Sequence, residues 1–217
     1  MEHWHPNPAF FFQHGGGPLL DIGPYYVTAL VNLIGPVRRV TAFGGRGFAE
    51  RVVTAAGPHQ GERIAVEVDT HVAGALEFAS GAVVSLMMSW DVWSEQLFRL
   101  ELFGTEGSLI LPDPNFFGGV SRVSRGGAFE DLEPTGVPYA ANNHVTSRGT
   151  GVADYRIIGV VDMALAIQEG RPHRCSGDLA LHVLEVLTAF GRSAQEGRAM
   201  QIDSLCTRPE PLRTAFA

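Results

Sequence analysis

Two alternating stretches joined by a very short turn constrain this chain most. In residues 70–78 and 82–90 larger apolar side chains alternate with small or polar ones, and Ala79-Ser80-Gly81 links the two stretches. A link this short forces antiparallel pairing, because a parallel partner needs a crossover of about a dozen residues. The device recurs downstream. Residues 97–103 run through Gly104-Thr105-Glu106-Gly107 into residues 108–111, and residues 120–123 form a weaker strand. Residues 37–43 supply one further strand ahead of the hairpins.

Helical periodicity flanks this run. Leu20, Val27, Leu30, Val31 and Ile34 recur at helical spacing in residues 18–34, and Gly35-Pro36 stops them. Pro18 suits a first helical position. Pro24 does not suit an interior, so the helix bends at Gly23-Pro24 or begins properly near Ile22. A second helix is predicted over residues 152–169, with Ile157, Val160, Val161, Ala164 and Ile167 on one side and Gly170 as its C-cap. A third is predicted over residues 178–196. Its stripe is Leu179, Val183, Val186, Leu187 and Phe190, with Ser176 as N-cap and Asp178 at the positive dipole end.

A helix, a run of hairpins and two more helices read as an α+β fold: an open, mostly antiparallel sheet with helices on one face. Residues 1–217 read as a single substrate-binding and oligomerisation domain, of a length that buries a good core. The strands are apolar on much of both faces, so a large patch stays uncovered, and such patches mark interfaces. The expectation is a homo-oligomer through the open face. A mixed, half-solvated face is the alternative.

The formal net charge of -7, with no Lys/Arg stripe, argues against nucleic acid as a partner. No apolar run approaches the roughly 20 residues that span a bilayer. The first residues show no secretory leader, so the expected compartment is the cytoplasm. Cys175 and Cys206 form no metal-type pair and are expected as free thiols. His3, His5 and His14 lie close in sequence, but their spacing fits no standard metal site. The chain opens without the strand and Gly-rich turn of a dinucleotide-binding domain and reads as one entered in the middle.

The richest stretch chemically is Gly15-Gly16-Gly17-Pro18-Leu19-Leu20-Asp21-Ile22-Gly23-Pro24-Tyr25-Tyr26. Its glycines allow close backbone approach. Asp21 and Tyr25 are four apart and share a face on a helix. A carboxylate beside a phenol is a workable proton-transfer pair, since the carboxylate orients the phenol and the phenol reaches a substrate hydroxyl. The other reading of the same spacing is a helix cap and a packing tyrosine. Trp90-Asp91-Val92-Trp93 reads either as a sugar-stacking lip or as a strand end at an interface.

Trp4-His5-Pro6-Asn7-Pro8-Ala9-Phe10 followed by that glycine-rich stretch resembles the start of the C-terminal domain in the glucose–fructose oxidoreductase/inositol dehydrogenase/rhizopine-catabolism (Gfo/Idh/MocA) family. The resemblance continues through Leu102-Phe103-Gly104-Thr105-Glu106-Gly107-Ser108-Leu109 and Asp154-Tyr155-Arg156. It also takes in Gly159-Val160-Val161-Asp162-Met163-Ala164, Gly170-Arg171-Pro172-His173-Arg174 and Pro209-Glu210-Pro211-Leu212. It covers nearly the whole chain in order, and the order and spacing are what make it specific.

The resemblance implies an N-terminal Rossmann domain binding NAD or NADP, a C-terminal domain whose open sheet forms oligomers, and a sugar or polyol between them. It implies that Asp21 and Tyr25 are catalytic, with tyrosine where many members carry histidine. His14, Tyr155 and Arg156 are candidates for binding substrate, and a solvated surface charge is the other reading of Arg156. A phenol is a poor base at neutral pH without a cation nearby. The family's catalytic lysine lies in an EKP motif, and this chain has neither that motif nor any lysine. Gly45-Arg46-Gly47-Phe48-Ala49-Glu50 fails the dinucleotide pattern at its last glycine. No cofactor is therefore expected on this chain. Two readings follow: the substrate half of a sugar or polyol oxidoreductase, inactive alone, or a stand-alone, non-catalytic ligand-binding or oligomerisation module.

Overall fold

The computed structural model describes residues 1–94, 100–132, 136–146, 149, 151–212 and 215. The chain divides into two compact units. The first comprises Met1–Ser94 and Gly177–Arg208, and the second Glu95–Ser176 and Pro209–Ala217.

The first unit opens with a 3-10 turn at Ala9–Phe12 and two helices, α1 (Pro18–Asp21) and α2 (Gly23–Ile34). The expected single helix is broken at Ile22. Proline at 24 offers no N–H and its ring crowds the carbonyl four residues back, so a new helix starts with Pro24 in its first turn. Strands β1 (Val37–Gly45), β2 (Glu50–Val52), β3 (Arg63–Ala65), β4 (His71–Phe78) and β5 (Val83–Ser89) follow, with β2 and β3 paired as a small ribbon. Gly81 turns the β4–β5 hairpin with φ 88°, a conformation that side chains disfavour.

For the long third helix the sequence predicts a start at Asp178, and α4 spans Gly177–Glu196 in the structure. Leu179, His182, Val183, Val186, Leu187, Phe190 and Ser193 are buried, a clean helical stripe. With Val27, Val31, Val40, Val72, Leu76 and Phe78 they make the core between helices and sheet. At Gly23 a Cβ would sit 2.6 Å from the Leu187 side chain, so glycine lets α2 and α4 approach closely. Two buried polar residues in the stripe satisfy β1 backbone donors. Val37 N–H donates to His182 Nε2 at 3.0 Å, and Ala42 N–H donates to Ser193 Oγ at 3.0 Å.

The sheet of the first unit has the strand order β12-β1-β4-β5, with every neighbour antiparallel; β12 is Met200–Gln201. Its face away from the core carries small residues, the Arg39–Glu77 ion pair and the exposed side chains of Phe43, Val83 and Met87. A separate cluster of Phe11, Phe12, Val53, Ala55, Ile64 and Val66 packs with Trp90 beside the ribbon.

The second unit holds an antiparallel meander of β6 (Leu100–Gly104), β7 (Gly107–Leu111), β8 (Ser121–Ser124) and β9 (Glu130–Leu132). Residues 97–99 of the expected strand lie outside the described residues. A two-stranded ribbon, β10 (His144–Val145) with β11 (Gly151–Val152), precedes α3 (Ile158–Glu169).

The second helix therefore begins six residues later than its periodicity predicts. Pairing of residues 151–152 with β10 keeps them extended, and Asn143 holds the Asp154 backbone through both its amide groups. The apolar stripe of α3 also faces out, with Ile157, Val160 and Ile167 all exposed. The buried positions on α3 are Asp162 and Ala166. Asp162 accepts the Arg174 backbone N–H at 2.8 Å and the Arg171 guanidinium at 3.0 Å, and pairs with the Arg174 guanidinium as well. Anchoring a charge this way fixes which face of the helix turns inward.

Candidate functional site

The site grows from the glycine-rich turn of the first unit. Gly16 N–H closes onto Gln13 O, and Gly17 N–H onto Phe11 O, both at 2.8 Å. Gly17 adopts φ 88° and lies against the Val68 side chain and the Asp69 carbonyl, which a Cβ would approach to 3.3 Å. The turn delivers the chain into α1, whose last residue is Asp21.

Asp21 is half-buried. Burial pushes its carboxyl above the ordinary carboxylate range, against the pull of the positive charge on the chain's first amino group. Tyr25 lies on the next turn, in the first turn of α2, and is 45% exposed. Right-handed helical dihedrals at Ile22 and the Tyr25 N–H to Ile22 O bond of 3.2 Å keep the two in successive turns across the break. The unit thus presents a half-buried carboxyl, its pKa raised by burial, one turn from an exposed tyrosine. His14 is exposed in the preceding turn.

Tyr155 and Arg156 belong to the second unit and precede α3, not being part of it. The Tyr155 hydroxyl donates to Ala141 O at 3.0 Å, and its ring packs against Tyr139 and Phe117. Arg156 donates to Asn115 O at 2.8 Å and lies 3.5 Å from Asp154. The Tyr155 hydroxyl can also accept, since a hydroxyl both donates and accepts.

Composition and spacing do not disclose a polar cluster centred on Arg51. Its guanidinium donates to Glu2 at 3.1 Å, pairs with Asp91 and stacks over Phe48 with 4.5 Å to the ring centroid. Asp91 also accepts Gly47 N–H at 2.9 Å and the Thr70 hydroxyl at 2.6 Å. The Trp90-Asp91-Val92-Trp93 segment was the one visible signal. Glu2, Phe48, Arg51 and residues 90–93, with Met1 and His3, wall a cavity of about 240 Å³. Among the described residues no cluster of three or more His, Cys, Asp or Glu side chains could hold a metal. No described helix is long and apolar enough to cross a membrane.

The antiparallel sheets and the flanking helices make a mixed α/β fold. Residues 1–110 match the GFO/IDH/MocA C-terminal domain, and the chain belongs to that family. Over 191 residues it is 26% identical to a D-xylose 1-dehydrogenase (NADP(+)) of Haloferax volcanii, which covers 87% of this chain. It spans about half the length of that relative, 49%. Among solved structures it is similar to levoglucosan dehydrogenase in its apo form, with TM-score 0.72 and 24% identity over 94% of this chain and 57% of the other. It is also similar to aldose-aldose oxidoreductase from Caulobacter crescentus, with TM-score 0.63 and 24% identity over 92% of this chain and 52% of the other. These likenesses show the fold.

The family suggests a nicotinamide cofactor, and the described residues do not fit one. A dinucleotide turn connects a parallel strand to a helix whose N-terminus receives the pyrophosphate. Here every strand pair among the described residues is antiparallel. Gly45 ends β1 and residues 46–49 lead into β2, a strand. Gly15–Gly17 follow a 3-10 turn and open a helix of only 4 residues.

Proposed function

We propose that this chain is the substrate-facing domain of an NAD(P)-dependent sugar or polyol oxidoreductase acting on CH–OH groups, without turnover by itself. One observation carries the reading. A half-buried carboxyl with a raised pKa stands one turn before an accessible phenol, within the segment that matches the family. In this reading Tyr25 exchanges the proton of the reacting hydroxyl, Asp21 orients it and His14 binds another hydroxyl; Tyr155 and Arg156 are proposed as hydroxyl-binding residues of the second unit. Residues 1–217 serve as one functional domain, and NAD or NADP belongs to the Rossmann domain of the intact protein. Phe43, Val83 and Met87, exposed on the free face of the sheet, support a homo-oligomer through that face.

The test joins this chain to a Rossmann domain and follows nicotinamide absorbance across a panel of aldoses and polyols. Turnover should appear, and Tyr25→Phe should lower it by about 10²–10⁴-fold, the usual worth of a positioned acid–base group. Full activity in Tyr25→Phe removes Tyr25 from the chemistry. The poor fit of a dinucleotide turn also favours a second reading, a non-catalytic binding module. Tight NAD(P) binding by the chain alone would overturn both.

A further inference from the structure

The cavity around Arg51 has a composition of its own. Its walls include Phe48, Trp90 and Trp93, and its polar lining includes Glu2, Arg51 and Asp91. All six lie in the first unit. Trp93 is 95% exposed, so its ring stands in water at the rim, beside a half-exposed Phe48. Aromatic rings in water at the mouth of a polar cavity suit a ligand with apolar C–H faces and a polar perimeter.

The charge arrangement narrows the class. Arg51 is held between two carboxylates and flat against Phe48, so its positive charge is already matched and its geometry preset. The Met1 ammonium, also in the lining, pairs with Glu2 at 3.1 Å, so two cations meet two carboxylates and none is left over to fix a phosphate or a carboxylate. It does offer both acceptors and donors, which is what hydroxyl groups need. Arg51 Nε and the Trp90 indole N–H are buried donors with no acceptor among the described residues. Buried donors without partners call for an explanation. Both donors belong to side chains that line the cavity. At about 240 Å³ the cavity is smaller than the roughly 300–1,000 Å³ of pockets for drug-sized ligands, which sets its capacity at one small ring or chain.

We infer that this cavity binds one neutral monosaccharide or linear polyol, with a C–H face on Trp93 and hydroxyls on Arg51, Asp91 and Glu2. The site needs neither Asp21 nor Tyr25. A chain that binds sugar here yet gains no turnover beside a Rossmann domain would refute the catalytic reading and leave this one standing.

Saturation-transfer NMR on the full 217-residue chain tests it, with D-xylose, D-glucose, sorbitol and, as the anionic control, D-glucuronate. Saturable transfer to at least one neutral compound is expected. Trp93→Ala should weaken it about tenfold, because one stacking face is lost. That side chain is almost wholly exposed, so folding is not at stake. Phe103→Ala, which removes an exposed aromatic side chain of the second unit outside this cavity, should leave binding unchanged. The inference is overturned by absence of saturable transfer from all three neutral compounds. Unaltered binding in Trp93→Ala, loss of binding in Phe103→Ala, or tighter binding of glucuronate than of glucose each overturns it too.

Discussion

Replacing His182 gives the sharpest test of how the first unit is held together. His182 is fully buried on α4. Its Nε2 accepts the Val37 N–H, so the ring proton resides on Nδ1, which faces Ser204 O at 3.2 Å and Oγ at 2.9 Å. One neutral tautomer thereby ties α4 to the start of β1 and to the segment after β12. His182→Ala removes the ring from a packed core, which costs about 2–4 kcal/mol by analogy with large-to-small substitutions. It also strands the Val37 N–H, worth about 1–3 kcal/mol. The two overlap, and the expected total is about 3–5 kcal/mol.

The pH dependence follows from the same geometry. Burial lowers the His182 pKa, against the opposing pull of the Ser204 hydrogen bond and the Glu185 charge. The unfolded chain then takes up a proton near pH ~6.5 that the folded chain refuses. The stabilisation from neutral His182 is complete above that pH and is lost as pH falls through the depressed folded value. The slope reaches at most about 1.4 kcal/mol per pH unit. Urea unfolding read by tryptophan fluorescence measures this, because all three tryptophans lie in the first unit. His182→Gln keeps an acceptor for Val37 but cannot titrate, so its deficit against the parent should shrink as pH drops below about 6.5. A deficit that stays constant across that range, or an alanine variant that loses less than about 1 kcal/mol, refutes the reasoning.

Two further outcomes concern carboxylates. Burial raises the Asp162 pKa, but the Arg174 N–H, the Arg171 guanidinium and both positive charges outweigh it, and the net shift is downward. Asp162→Asn should weaken the second unit by about 1–3 kcal/mol, less than a fully buried pair because both arginines are partly exposed. Hydrogen exchange of the α3 amides should speed up accordingly, and unchanged exchange would deny the brace. The native Asp162 contribution holds above the ordinary carboxylate pKa of about 3.9 and fades as pH falls through its lowered value. Asp21 has the opposite sign. Its raised pKa favours the folded state below the ordinary value and costs stability as pH rises through the raised one. Asp21→Asn should therefore melt no lower than the parent at neutral pH; a clear drop would mean that the charged form is the one the fold prefers.

Local features of this chain were legible in its residues because their causes are local. Pro24 breaks the first helix wherever that segment goes. Ala79-Ser80-Gly81 closes a hairpin, since the turn needs a residue at positive φ and glycine supplies it. The α4 stripe announces its buried face because 3.6-residue periodicity persists over 20 residues. The Asp21–Tyr25 pair was visible as spacing and as a family resemblance. Its raised carboxyl pKa was not, because burial depends on what packs around it.

The remaining features required distant segments to meet. β12 is two residues long and becomes a strand only by pairing with β1, some 160 positions earlier. The stripe on α3 reads as a core face, but Asp162 with Arg171 and Arg174 turns it outward. Arg51 is one arginine among 16 in the sequence, and only folding brings Glu2, Phe48 and Asp91 around it. Sequence alone determined where the chain turns, which stretches are helix or strand, and which family pattern it carries, since backbone preference and periodicity act between near neighbours. Tertiary structure decided which polar side chains are buried and paired, because desolvation and charge pairing arise only when segments far apart in the chain exclude water together.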